Sequence, residues 1–169
     1  QTCALPICLS AVMLQAARVD TVLVRSAAMN KDVKVVYVLP DKAIGKQACP
    51  VVYLLHGYGG NARSWVQLKP ELPQMADEKG IIFVCPDGKN SWYWDSPENP
   101  AYRYETFVTS ELVKYTDGNY ATIPDRKARA ISGLSMGGHG ALWSAIRHKD
   151  VFGAAGSMSG GVDIRPLDR

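Results

Sequence analysis

The chain has 169 residues, enough for one domain and short for two. Apolar residues make up 47% and charged residues 21%, ordinary globular values that exclude intrinsic disorder. Nineteen Lys and Arg against sixteen Asp and Glu leave a net charge of +3, too small and scattered for a nucleic-acid footprint, and no apolar stretch is long enough to span a bilayer.

The chain opens with Gln1, and residues 1–7 resemble the in-frame translation of a common sequencing-library adapter, expected to be a cloning scar. Residues 8–17 are apolar and end in small side chains, like the tail of a secretory signal peptide whose basic start is missing, with cleavage near Ala16 or Ala17. A short buried strand or helix is the plainer reading of the same residues. Because a different pattern begins at Arg18, residues 1–17 are expected to be scar plus signal remnant, and the location secreted or periplasmic.

Residues 19–26 and 32–39 alternate apolar and polar, as half-buried strands do, and Pro40-Asp41 ends the second; together they predict an antiparallel hairpin at a sheet edge. Residues 50–55 and 81–85 are continuous apolar, β-branched runs, the mark of strands buried on both faces. Residues 129–132 and, more weakly, 152–158 repeat the pattern. Helices are predicted between them over 74–79, stopped by Gly80, over 104–115, and over 136–148, the last with Leu142 and Ile146 on its packing stripe. Strand and helix in alternation predict a doubly wound, mostly parallel α/β sheet.

The four cysteines form no C-x-x-C pair, which argues against a zinc ribbon or a redox motif. Cys49 enters one parallel strand and Cys85 leaves the next; at ~3.3 Å per residue they would stand roughly 15 Å apart, too far for a disulfide.

The sharpest motif is Gly133-Leu134-Ser135-Met136-Gly137, a G-x-S-x-G after a predicted strand and at the start of a predicted helix. A turn that tight forces the serine into a strained backbone conformation and leaves no room for side chains two residues to either side, hence the glycines. The second motif, Leu55-His56-Gly57-Tyr58-Gly59-Gly60-Asn61, leaves a buried strand. It lacks the spacing of phosphate-binding loops. It suits a backbone N–H for a developing oxyanion, with Tyr58 as one donor and Met136, next to the nucleophile, as the other. His56 reads as structural, bonding backbone at the strand exit. In the loop 90–95, the run Trp92-Tyr93-Trp94 emerges on the same edge, and Trp92 and Tyr93 are the candidate substrate-binding residues; a lid packed on the core is the competing reading. Glu111, among apolar neighbours, suggests a buried, hydrogen-bonded carboxylate, while Asp125, Arg126 and Arg129 read as strand-entry charges.

Taken together, PVVYLLHGYGGN, IIFVCPDG, NSWYWDS, YETFVTSELVKYTDGNY and RARAISGLSMGGHGALWSAIRHKDVFGAAGSMSG resemble the esterase family that includes esterase D, tributyrin esterases, feruloyl esterases and the antigen 85 mycolyltransferases. The likeness runs from about Val33 to Gly161. It implies an α/β-hydrolase fold and a Ser-His-Asp triad with Ser135 as nucleophile and the amides of Tyr58 and Met136 as oxyanion donors. It implies no metal or organic cofactor, no nucleic-acid or membrane partner, and a small-molecule or polysaccharide-linked ester as substrate.

The departure is in the remaining triad. In this fold Asp and His follow the nucleophile, but the histidines after Ser135 are only His139, one turn along the helix, and His148, at that helix's far end. Neither is placed to act as base. Asp163 could sit at an acid position but reads as a loop carboxylate. Residues 18–169 are therefore expected to be the N-terminal two-thirds of a catalytic domain, inactive alone, from a serine carboxylesterase acting on acylated carbohydrate. The alternatives are an S-formylglutathione hydrolase-like thioesterase and a non-catalytic α/β domain that only binds.

Overall fold

A computed structural model describes residues 17–163. The expected adapter scar and nearly all of the expected signal remnant lie outside them. No described helix is long and apolar enough to cross a membrane.

The hairpin forms as its alternation predicts. Strand β1 (Arg18–Ser26) pairs antiparallel with β2 (Lys31–Leu39), from Arg18 opposite Leu39 to Ser26 opposite Lys31. A short helix, α1 (Asp41–Ile44), leads to β3 (Val51–Leu55). Helices α2 (Ser64–Leu68) and α3 (Leu72–Lys79) cross to β4 (Ile82–Pro86). Pro73 sits in the first turn of α3, where its missing N–H costs nothing, and Gly80 ends the helix in the left-handed conformation. Next come α4 (Tyr104–Thr106), a π-helical turn (Phe107–Glu111) and α5 (Leu112–Asn119), running as one helical stretch. Strand β5 (Arg129–Leu134), α6 (Met136–Arg147) and β6 (Ala154–Met158) complete the described chain.

The six strands lie in the order β1-β2-β4-β3-β5-β6, with β2 antiparallel to β4 and the last four strands mutually parallel. The alternation of β2 separates the two cores: Val35, Tyr37 and Leu39 face one, Val36 and Val38 the other. The first core is closed by the 104–119 stretch and α6, through Phe107, Leu112, Met136 and Ala141; the second by α2 and α3, through Trp65, Leu72 and Ala76.

Two local readings differ from expectation, the packing stripe of α6 and the role of Arg129, while the hydrogen-bonded Glu111 and the unpaired cysteines agree with it. The buried side of α6 is Met136, Gly137, Gly140, Ala141 and Ser144, and Ile146 is 66% exposed, because small residues let the helix approach the sheet closely. Glu111 is half-buried and ties the hairpin turn, accepting from the Ser26 hydroxyl at 2.6 Å and the Ala28 N–H at 2.9 Å. Arg129 is a buried ion-pair partner of Asp117 at 2.6 Å rather than an ordinary strand-entry charge, while Arg126 donates to the carbonyls of Lys149 and Phe152. Cys49 and Cys85 are buried free thiols, and burial pushes the Cys85 thiol up to about 12.

Candidate active site

Parallel pairing sets the site. Leu55 lies opposite Gly133, so β3 and β5 leave the sheet side by side and deliver the 56–60 loop and the Ser135 turn to one place. Ser135 has φ 54° and ψ −116°, a strained backbone for a residue with a side chain, and stands exposed between β5 and α6. Its N–H donates to the Met158 carbonyl at 2.8 Å and its carbonyl accepts from the His139 N–H at 3.0 Å. The two glycines of the motif are sterically required. A Cβ on Gly133 would lie 2.2 Å from the Gly137 carbonyl oxygen, and one on Gly137 would lie 2.2 Å from that of Leu55.

Gly57 packs against the turn: a Cβ there would stand 3.5 Å from the Ser135 Cβ. The next residue, Tyr58, is exposed, and a Gly60 N–H to Gly57 carbonyl bond of 3.0 Å closes the turn around it. Neither the Tyr58 nor the Met136 N–H donates to a described residue. Two unspent amides thus flank an exposed hydroxyl, and Met136 opens the twelve-residue α6, whose dipole favours negative charge at that end.

His56 braces the loop from below. Its Nδ1–H donates to the Gly57 carbonyl at 2.7 Å and its Nε2 accepts the Gly88 N–H at 2.8 Å, a tautomer assigned from these partners. Beside it, burial pushes the Asp87 carboxyl up, but Lys89, whose ammonium lies at 2.8 Å and whose backbone N–H donates to Oδ1 at 2.9 Å, outweighs that and holds the group well below the usual carboxylate range. His139 is equally committed, accepting from the Trp94 indole at 2.8 Å and bonding the Gly161 carbonyl at 2.8 Å. His148 lies 2.8 Å from Glu105. All three imidazoles of the chain are thus engaged away from Ser135. Asp163 is exposed in the coil after β6.

The aromatic loop is built differently from expectation. Tyr93 has no exposed surface: its ring wedges between Gly88 and Gly140, where added Cβ atoms would lie 2.3 and 2.5 Å from it, and its hydroxyl donates to the His56 carbonyl at 3.2 Å. It is a core residue and cannot touch substrate here. Trp92 is half-buried and meets the His139 ring edge-on at 5.5 Å. The cause is backbone: Trp92 and Tyr93 both have positive φ, 55° and 60°, which turns Tyr93 inward. Glu105 went unnoticed in the sequence. It is buried and receives the Trp143 indole, Arg147 and His148, which outweigh its burial and lower its pKa.

A family model described as "Putative esterase" matches residues 26–167. The chain belongs to this esterase family. It is 27% identical over 150 residues to an acetyl esterase of Caldicellulosiruptor saccharolyticus, covering 84% of this chain and 56% of that protein. A solved ferulic acid esterase superposes with a TM-score of 0.77 at 32% identity, over 88% of this chain and 59% of that one. An S-formylglutathione hydrolase from Agrobacterium tumefaciens gives 0.76 at 26% identity, over 87% and 61%. The esterase-family chain spans about half the length of the curated relatives it matches. Its α/β-hydrolase-type sheet agrees with the expected fold.

Proposed function

We propose that the protein is a serine carboxylesterase that works through an acyl-enzyme, with acylated carbohydrate as its substrate. The observation that carries this reading is the exposed Ser135 hydroxyl on its strained turn, flanked by the unspent N–H groups of Tyr58 and Met136. As the Ser135 Oγ attacks the ester carbonyl its proton passes to a general base outside residues 18–163, the two amides hold the oxyanion, and collapse hands that proton to the departing alcohol and leaves the acyl group on Ser135; water, giving its proton to the same base, then frees the acid and restores the serine hydroxyl. No step calls for a metal or an organic cofactor. Because every imidazole is engaged elsewhere, residues 18–163 alone are proposed not to turn over esters. The apolar residues 8–17, ending in small side chains, support an extracytoplasmic location, which cell fractionation tests.

Support for the carbohydrate ester comes from the likeness to a ferulic acid esterase. The likeness to an S-formylglutathione hydrolase supports a thioesterase as the second reading. The test uses the product of the whole open reading frame, reacted with p-nitrophenyl acetate, quenched in acid and mapped by peptide mass. Acetyl on the Ser135 peptide is expected; stoichiometric label on another residue overturns the reading. Rates on acetylated xylo-oligosaccharide against S-formylglutathione separate the two substrates.

A further inference from the structure

The catalytic edge carries a cavity of about 350 Å³ in the loop after β4, within the roughly 300–1,000 Å³ range of small-ligand sites. Trp94 and Tyr102 give it aromatic walls, and Asn90, Ser91, Ser96 and Asn99 line it with polar groups. It adjoins the oxyanion loop, because the Asn90 Oδ1 accepts the Gly59 N–H at 2.8 Å. Through the Trp94 indole bond to His139 it is also fixed to the helix that begins at the Ser135 turn.

The hydrogen-bond accounting of this loop is one-sided. The Asn99 Oδ1 accepts the Ala101 N–H, the Ser91 Oγ accepts the Tyr93 N–H, and the Ser96 Oγ accepts the N–H groups of Glu98 and Asn99. Asp95 spends both carboxylate oxygens on Thr106. The side-chain oxygens of Asn90, Ser91, Asp95, Ser96 and Asn99 thus each already accept a bond. The amide hydrogens of Asn90 and Asn99 and the hydroxyl hydrogens of Ser91 and Ser96 have no acceptor among the described residues. The cavity therefore offers donors and aromatic surface, and suits a ligand rich in acceptor oxygens with one apolar face. A pyranose ring has that chemistry: ring and hydroxyl oxygens at its rim and a C–H face to lay on an indole or phenol.

We propose that the cavity walled by Trp94 and Tyr102 is a sugar-ring subsite that holds the alcohol portion of the ester. This deepens the esterase reading and rests on it for the subsite's purpose. Two strained residues, Trp92 and Tyr93, precede Trp94; they bury Tyr93 and present Trp94 to the cavity.

The test titrates the purified product of the whole open reading frame with xylotriose and cellotriose, following tryptophan emission and calorimetry, with 1,4-butanediol as a ringless polyol. Saturable binding of a trisaccharide, and none of the diol, is expected. Asn99→Asp keeps the turn-holding Oδ1 and removes the amide donors; Tyr102→Leu removes a wall. Each is expected to weaken binding at least ten-fold, while Gln47→Glu, an exposed charge-matched change before β3, does not. Absence of saturable binding by either trisaccharide, equal binding of the diol, or affinity retained by both variants overturns the subsite. The serine-esterase reading fails separately: ester turnover that survives Ser135→Ala removes Ser135 as its nucleophile and leaves the binding result standing.

Discussion

An alanine methyl at Gly137 would meet the Leu55 carbonyl 2.2 Å away, with rigid backbone on both sides and no flexible side chain to yield. Gly137→Ala is expected to cost at least about 3 kcal/mol, read as a lowered urea midpoint. Asp87 gives the pH dependence. Its carboxyl is held below its ordinary value, so its stabilisation is complete above the unfolded value near ~3.9 and is lost as pH falls through the folded one. Asp87→Asn should therefore cost about 2 kcal/mol at neutral pH, with the gap to the unsubstituted protein closing below about pH 4 in acid titrations of stability. At this scale the sequence was legible where chemistry and geometry demand the same residue. Gly133 and Gly137 follow from the crowding of a serine turn, and His56 reads as a brace because it leaves a buried strand. Tyr93 was not legible: nothing in Trp92-Tyr93-Trp94 says which ring turns inward, since that depends on two positive φ angles imposed by tertiary packing.

Among the elements, strands were readable because burial on both faces leaves an unbroken apolar run, and β3, β4 and β5 each lie within two residues of expectation. The four- and five-residue helices α1 and α2 were missed, being too short to display a 3.6-residue period. The 104–119 stretch runs four residues longer than its periodicity suggested, and a π-helical turn at Phe107–Glu111 shifts its face midway. Glu105, at the start of this stretch, joins the end of α6 through Trp143, Arg147 and His148. Glu105→Gln is expected to cost about 1–2 kcal/mol, read in the thermal midpoint, because Arg147 and His148 keep much of their solvation.

Across the molecule, β6 is the sheet's last described strand and pairs only with β5, so its outer N–H and C=O groups form an edge. Its side chains are small and mostly exposed, with no charge among Ala154–Met158 to discourage pairing. The 169-residue chain by itself is expected to self-associate through this edge as concentration rises, and Ala155→Lys to reduce the effect. Sedimentation velocity checks both, and a monomer at high concentration with unsubstituted β6 contradicts them. Alternating strand and helix made the parallel sheet legible from sequence; the placement of β4 between β2 and β3 was not, because strand order depends on contacts distant in sequence.

The fold converges on one hydroxyl beside two unspent amides, and the direct measurement is kcat/KM for p-nitrophenyl acetate with the product of the whole open reading frame and its Ser135→Ala variant. A loss on the order of 10⁴-fold or more, with an unchanged urea midpoint, is predicted. Turnover by the variant within about ten-fold of the unsubstituted protein would contradict the assignment of Ser135 as nucleophile.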